Sequence, residues 1–169
     1  YGGYPQSWDA KILRKRGGAW MDECRVRRRK KDGALQLPVA YLTCNFTSPV
    51  GDDPALLTHT EVVTLFHEFG HGLHHMLTRI EEAGVSGING VAWDAVELPS
   101  QFMENWCWQP EALAFISGHF ETGECLPTEL LEKMLAAKNF QAAMSMVRQL
   151  EFALFDFQLH LEFEEGADN

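Results

Sequence analysis

No two of the four cysteines, Cys24, Cys44, Cys107 and Cys125, form a CxxC pair, so neither a zinc knuckle nor a dithiol redox motif is indicated. Apolar runs of membrane-spanning length are lacking, and so is a secretory signal. The resulting expectation is a cytoplasmic protein with reduced thiols and no membrane partner. Cations are in short supply: 14 Lys and Arg face 24 Asp and Glu, for a net charge of -10. That balance argues against nucleic acid as a partner. The one basic stretch, Arg25-Val26-Arg27-Arg28-Arg29-Lys30-Lys31, reads as an exposed strand entering a turn at Asp32-Gly33. Tyrosine is scarce too, and Tyr1, Tyr4 and Tyr41 all lie early in the chain. No internal repeat or low-complexity segment is present.

The 169 residues, 46% of them hydrophobic, suffice for one domain with a core. Within them, His67-Glu68-Phe69-Gly70-His71 states a chemistry. Two imidazoles four residues apart on an α-helix lie one turn apart and about 40° apart around the axis. They can therefore close on one tetrahedral metal from a single face. Glu68 sits roughly 100° round from His67, beside that metal, where it can hold a water molecule. This is the HExxH pattern of zinc hydrolases, with imidazole ligands and a glutamate as general base.

The helix that carries the motif has clear marks. Thr58 and Glu61 stand at capping-box spacing, and the expected helix covers residues 58–77. Val62, Val63, Leu65, Phe66, Phe69, Leu73 and Leu77 make most of its circumference apolar, which predicts a buried core helix. Polar groups at His67, Glu68 and His71 inside such a helix need partners, and a metal supplies one. Gly70 and Gly72 each cost about 1 kcal/mol relative to alanine. They read as room for a close approach, by substrate or by another segment. His74 lies one turn beyond His71, too far along the same row to help enclose an ion, and His75 reads as a polar core or surface histidine.

Catalytic zinc usually takes three protein ligands and leaves a fourth position to water. The third must come from another segment. Glu81 and Glu82 before Gly84 read as a solvated turn. Asp94, Glu97 and Glu104 instead lie among apolar residues, and with Gln101 they share one face of a helix expected over residues 94–108. Glu97 is the expected third ligand. Asp94 or Glu104 would then accept the remaining N–H of a ligand histidine. Pro99 implies that this helix either starts only a few residues earlier or is kinked.

HEFGHGLHHML followed by GINGVAWDAVELPSQFMENW resembles the M3 family of zinc metallopeptidases, and KRGGAWMDECRVRRR, PVAYLTCNFTSPVG and RQLEFALFDFQLH resemble it as well. The resemblance implies Zn2+ on His67, His71 and Glu97, and supporting roles for Asp94 and Glu104. It implies a metalloendopeptidase acting on short peptides, with zinc-bound water activated by Glu68. Chains of that family are several times longer, so the remainder of a longer peptidase chain is an expected partner. The family also places tyrosines and a histidine that steady the transition state downstream of the zinc glutamate. Here only His119 and His160 follow as imidazoles, and both read as ordinary helix-surface or core residues. The alternative is thus a zinc-binding or peptide-binding fragment without full catalysis.

The expected architecture is mainly α with a small antiparallel β element, a fragment of a zincin-like M3 catalytic domain. Residues 1–14 read as a junction or disordered start, 24–46 as a β-hairpin region and 110–163 as helical scaffold. Asn139 is placed to cap the long last helix. Trp93, Trp106 and Trp108 read as core or cleft wall. Leu42, Thr43, Cys44, Asn45 and Phe46 form a strand against which an extended peptide substrate can pair.

Overall fold

The computed structural model describes residues 17–162; the junction expected at 1–14 and residue 163 of the scaffold lie outside the described residues. These fall into two compact units that divide between Glu124 and Cys125. The fold is mostly helical with a small antiparallel sheet, as the sequence pattern predicts.

In the first unit, strands β1 (Trp20–Arg25) and β4 (Val39–Thr43) pair antiparallel, with Trp20 opposite Thr43 and a bulge between Glu23 and Arg25. A second ladder, β2 (Arg28–Arg29) with β3 (Leu35–Gln36), lies between them in sequence. The β region therefore begins four residues earlier than residue 24. Its turn forms where Asp32-Gly33 predicts it: the Asp32 carboxylate accepts from the Ala34 amide, and Gly33 takes a positive φ of 83°. The basic run is only partly solvated, because Arg27 and Arg29 both reach Glu81, the latter with two guanidinium nitrogens at 2.8 and 3.0 Å. Glu81 thus ties the strand region to the turn beyond the first helix, which corrects its reading as a solvated turn residue.

Helix α1 spans His59–Met76 and begins on the capping box. Thr58 accepts from the Glu61 amide, and the Glu61 carboxylate accepts from the Thr58 amide at 2.8 Å. The other Glu61 oxygen takes the Thr47 amide at 2.8 Å, fastening the preceding loop to the helix start. Backbone N–H groups of Thr58 and Thr47 bias this carboxyl toward ionisation and take it from 4.5 to about 2. A depressed folded value means the contribution is complete above pH 4.5 and is lost as pH falls toward 2. Glu61→Gln should therefore show a flatter loss of melting temperature across that window than the wild type; parallel curves would count against the account.

Most of the apolar side chains of α1 are only half-buried, and Phe69 and Leu77 are exposed, which differs from the fully buried helix expected. The buried positions are Glu68, Gly70, Gly72 and His75. The reason is the packing: the second helix and the β1–β4 ladder cover the glycine face of α1. His75 is completely buried, with Nε2 2.8 Å from the Arg25 carbonyl and Nδ1 accepting from the Ile88 amide. Those partners select the neutral Nε2–H tautomer, making His75 a core link between β1 and the segment before the second helix. Gly87, at φ +68°, lies so close that a Cβ there would run into His75 Nδ1.

Helix α2 is short, Leu98–Glu104, and continues as a 3-10 turn over Asn105–Trp108. The residues before it, including Asp94, form turns, so the 94–108 helix expected from sequence is cut at its N-terminal end. Pro99 accounts for this, since it lacks an amide hydrogen and is at home only in a first turn. Helix α3 (Pro110–Ile116) completes the first unit's α-helices. His59 anchors the start of α1 to the 3-10 turn, 2.8 Å from the Cys107 carbonyl.

The second unit holds α4 (Thr128–Ala137) and α5 (Ala142–Glu162). The long helix starts three residues after Asn139, behind Gln141 at a positive φ of 54°, so Asn139 does not take the capping position assigned to it. Apolar residues run around most of α5 and are exposed, Phe155 and Phe157 among them. No described helix is long and apolar enough to cross a membrane.

Candidate metal and acid–base site

Helical spacing brings His67 and His71 to one face of α1, with ring centroids 4.9 Å apart and planes nearly perpendicular. The start of α2 delivers Glu97 to the same point. Glu97 Oε2 lies 3.2 Å from His67 Nε2 and 3.2 Å from His71 Nε2. The three ligand atoms are within 4.8 Å of one another, the only such cluster among the described residues. His74 is not part of it. It lines a separate, mostly apolar cavity of about 730 Å³ with Gly70, Leu73, Leu98 and Phe102.

The two carboxylates considered as supports separate cleanly. Glu104 Oε1 lies 2.6 Å from His67 Nδ1, holding the ring so that Nε2 faces Glu97. Two turns of α2 with the adjoining residue make this possible, since Glu97 and Glu104 are seven apart on one helix face. Asp94 is exposed in the turn before α2 and reaches neither histidine, so the structure does not bring it to the site. His71 Nδ1 is buried and has no hydrogen-bond partner among the described residues.

Glu68 is 5% exposed. Burial raises its carboxyl above the ordinary range; the nearby Glu97 charge adds to this and His67 opposes it. Burial likewise lowers His71, with Glu97 pulling the other way, which favours the neutral imidazole that ligation requires. A cleft of about 310 Å³ opens over these groups, lined by His67, Glu68, His71 and Glu97 and walled by Trp20, Met21 and Trp93 among others.

The strand beside this cleft is β1. None of Leu42, Thr43, Cys44, Asn45 and Phe46 lines it, and Leu42 turns its side chain toward Gly72 of α1. Sequence periodicity cannot tell which of two paired strands faces a helix end, so Ala19, Trp20 and Met21 carry no advance signal. Ser100, whose hydroxyl lies 2.8 Å from Glu97 Oε2, was signalled only by its three-residue spacing from Glu97. His119 and His160 hold local turns and helix backbone: the former accepts from the Glu121 and Thr122 amides, and the latter lies 2.8 Å from the Asp156 carbonyl.

A mainly helical fold that presents HExxH from one helix and a glutamate from the next defines a metallopeptidase-like class of site. The chain belongs to peptidase family M3, whose family model matches residues 12–169. It is 77% identical over 155 residues to oligopeptidase A of Escherichia coli (strain K12), covering 90% of this chain and 23% of that protein. Organellar oligopeptidase A of Arabidopsis thaliana is 54% identical over 156 residues, with 90% of this chain and 20% of the relative covered. Saccharolysin of Saccharomyces cerevisiae is 41% identical over 129 residues, at 76% and 18%. The chain thus spans less than a quarter of the length of these relatives.

Proposed function

We propose that this chain carries the metal-binding and acid–base part of a zinc metalloendopeptidase that cleaves short peptides. The observation behind this reading is the meeting of His67, His71 and Glu97 around one point, with buried Glu68 beside them. Two imidazoles and a carboxylate are the donor set of several catalytic zinc sites, and the Glu104 contact to His67 is the support such a ligand usually has. Zinc, when bound, lowers the pKa of water and polarises the scissile carbonyl. Glu68 takes the proton of the attacking water and hands it to the leaving amine. A glutamate held above its ordinary range suits both halves of that transfer. An extended peptide would lie across the cleft with its main chain along β1, which pairs with β4 and no other described strand. The substrate class follows the oligopeptidase names of the relatives.

The test is metal analysis of the intact protein during chelator titration, alongside cleavage of short fluorogenic peptides. Wild type should hold one zinc; His67→Ala, His71→Ala and Glu97→Ala should each lose it and melt at lower temperature. His74→Ala should keep near-stoichiometric metal. Normal zinc in Glu97→Ala with loss in His74→Ala would overturn the ligand set.

One observation favours a second reading, a metal- or peptide-binding unit without full catalysis. Among the described residues lining the cleft, the side-chain donors apart from the two ligand imidazoles are the indoles of Trp20 and Trp93, and the Trp20 N–H is held by Asp22. Oxyanion donors are commonly worth about 10²–10³ in kcat. Stoichiometric zinc without cleavage of any peptide in the panel would select this second reading.

A further inference from the structure

Ser100 is fully buried in the first turn of α2, three residues beyond Glu97. Its hydroxyl lies 2.8 Å from Glu97 Oε2, the same oxygen that sits 3.2 Å from both ligand imidazoles. The hydroxyl is also 2.9 Å from the Glu97 carbonyl, the usual local acceptor for a serine in a helix turn. It has one proton for two acceptors. The ionised carboxylate is the stronger of them, because charge-assisted hydrogen bonds exceed neutral ones.

From this geometry we infer that Ser100 is a positioning residue for the metal: it holds the Glu97 carboxylate toward His67 and His71. The inference rests on the ligand set proposed above. The Glu97 side chain is 48% exposed, so solvent is open to it and several rotamers compete. Ser100 is at 0% exposure and cannot swing. Its Cα is also where the two helices touch: a Cβ built on Gly70 would fall 2.5 Å from it. Gly70 adjoins His71 in sequence. Ser100 therefore transmits the position of the α1 backbone to a carboxylate on the other helix. Glu97 does not spend its side chain on capping its own helix, which leaves both oxygens for the metal and for Ser100.

A double-mutant cycle on zinc affinity in the intact protein tests this, read by competition with a chromophoric chelator. Ser100→Ala should weaken zinc binding about 10–100-fold, the usual cost of losing a supporting hydrogen bond at a metal site. Ser100→Thr, which keeps the hydroxyl, should recover most of that loss. In a Glu97→Ala background, which gives up its zinc to a chelator but whose two imidazoles still take up the ion weakly at raised zinc concentration, Ser100→Ala should change that weak affinity less than about twofold, because the group it positions is gone. A serine that served only packing would produce the same loss in both backgrounds, and that result overturns the inference. So does an unchanged affinity in Ser100→Ala while wild type binds zinc, an outcome that leaves the ligand set standing. Failure of the wild type to bind zinc removes the ligand set and the inference together.

Discussion

Glu68→Gln should leave the intact protein with its metal and remove about 10²–10⁴-fold of its peptide cleavage, the range that a positioned general base supplies. Glutamine has the shape of glutamate and no basic oxygen, so it cannot carry a proton from water to amine. Metal content should hold because Glu68 is outside the cluster of His67, His71 and Glu97. Stability should not suffer either. The carboxylate is buried and feels the Glu97 charge, both of which disfavour its ionised form, and a neutral amide meets neither penalty. Metal analysis with single-turnover cleavage of a short peptide separates the two effects. Undiminished turnover would sink the assignment of Glu68 as base.

Gly70→Ala should be the most damaging single change to the architecture of the site. Alanine would gain about 1 kcal/mol in helix propensity. Against that, its Cβ would sit 2.5 Å from Ser100 Cα and 2.6 Å from the Pro99 carbonyl oxygen. Both are backbone atoms of α2, so no rotamer change relieves the contact and the helices must part. Overpacking of this kind typically costs about 1–3 kcal/mol. Parting the helices also draws Glu97 from the histidines, so zinc affinity should drop with the melting temperature. Gly72→Ala is the matched comparison. Its Cβ would meet only Leu42 Cδ2 at 3.3 Å, the end of a flexible side chain, and the variant should be neutral or slightly more stable. Equal melting temperatures for the two variants would show that the α1–α2 approach does not constrain Gly70.

Some of this structure could be read directly from residue order. Thr58 and Glu61 start α1 where their spacing says, because a capping box closes within four residues and needs nothing from the rest of the chain. His67, Glu68 and His71 take their relative places by helix periodicity alone. Glu97 and Glu104 were legible too, since acidic residues among apolar neighbours at helical spacing are costly unless they meet partners. Asp94 shared that spacing but not the outcome: Pro99 starts the helix late, and a turn residue does not keep helical phase.

Other features depended on which segments meet. Sequence suggested a buried α1 from its apolar girth, yet the α1 positions most fully enclosed are Gly70, Gly72, Glu68 and His75. Burial is decided by where α2, β1 and β4 lie, and only glycines admit backbone so near. The sequence pattern begins the β region at residue 24 and singles out Leu42–Phe46, but the cleft wall is built by Trp20 and Met21.

Local order along the chain by itself determined that His67, Glu68 and His71 stand together on one helix, where that helix starts, and the family, because each rests on contacts within a few residues or on motif order. Tertiary structure alone decided that Glu104 rather than Asp94 reaches His67, and that β1 rather than Leu42–Phe46 borders the cleft. Those are distances between segments far apart in the chain, fixed by the closest approach that Gly70 permits between two helices.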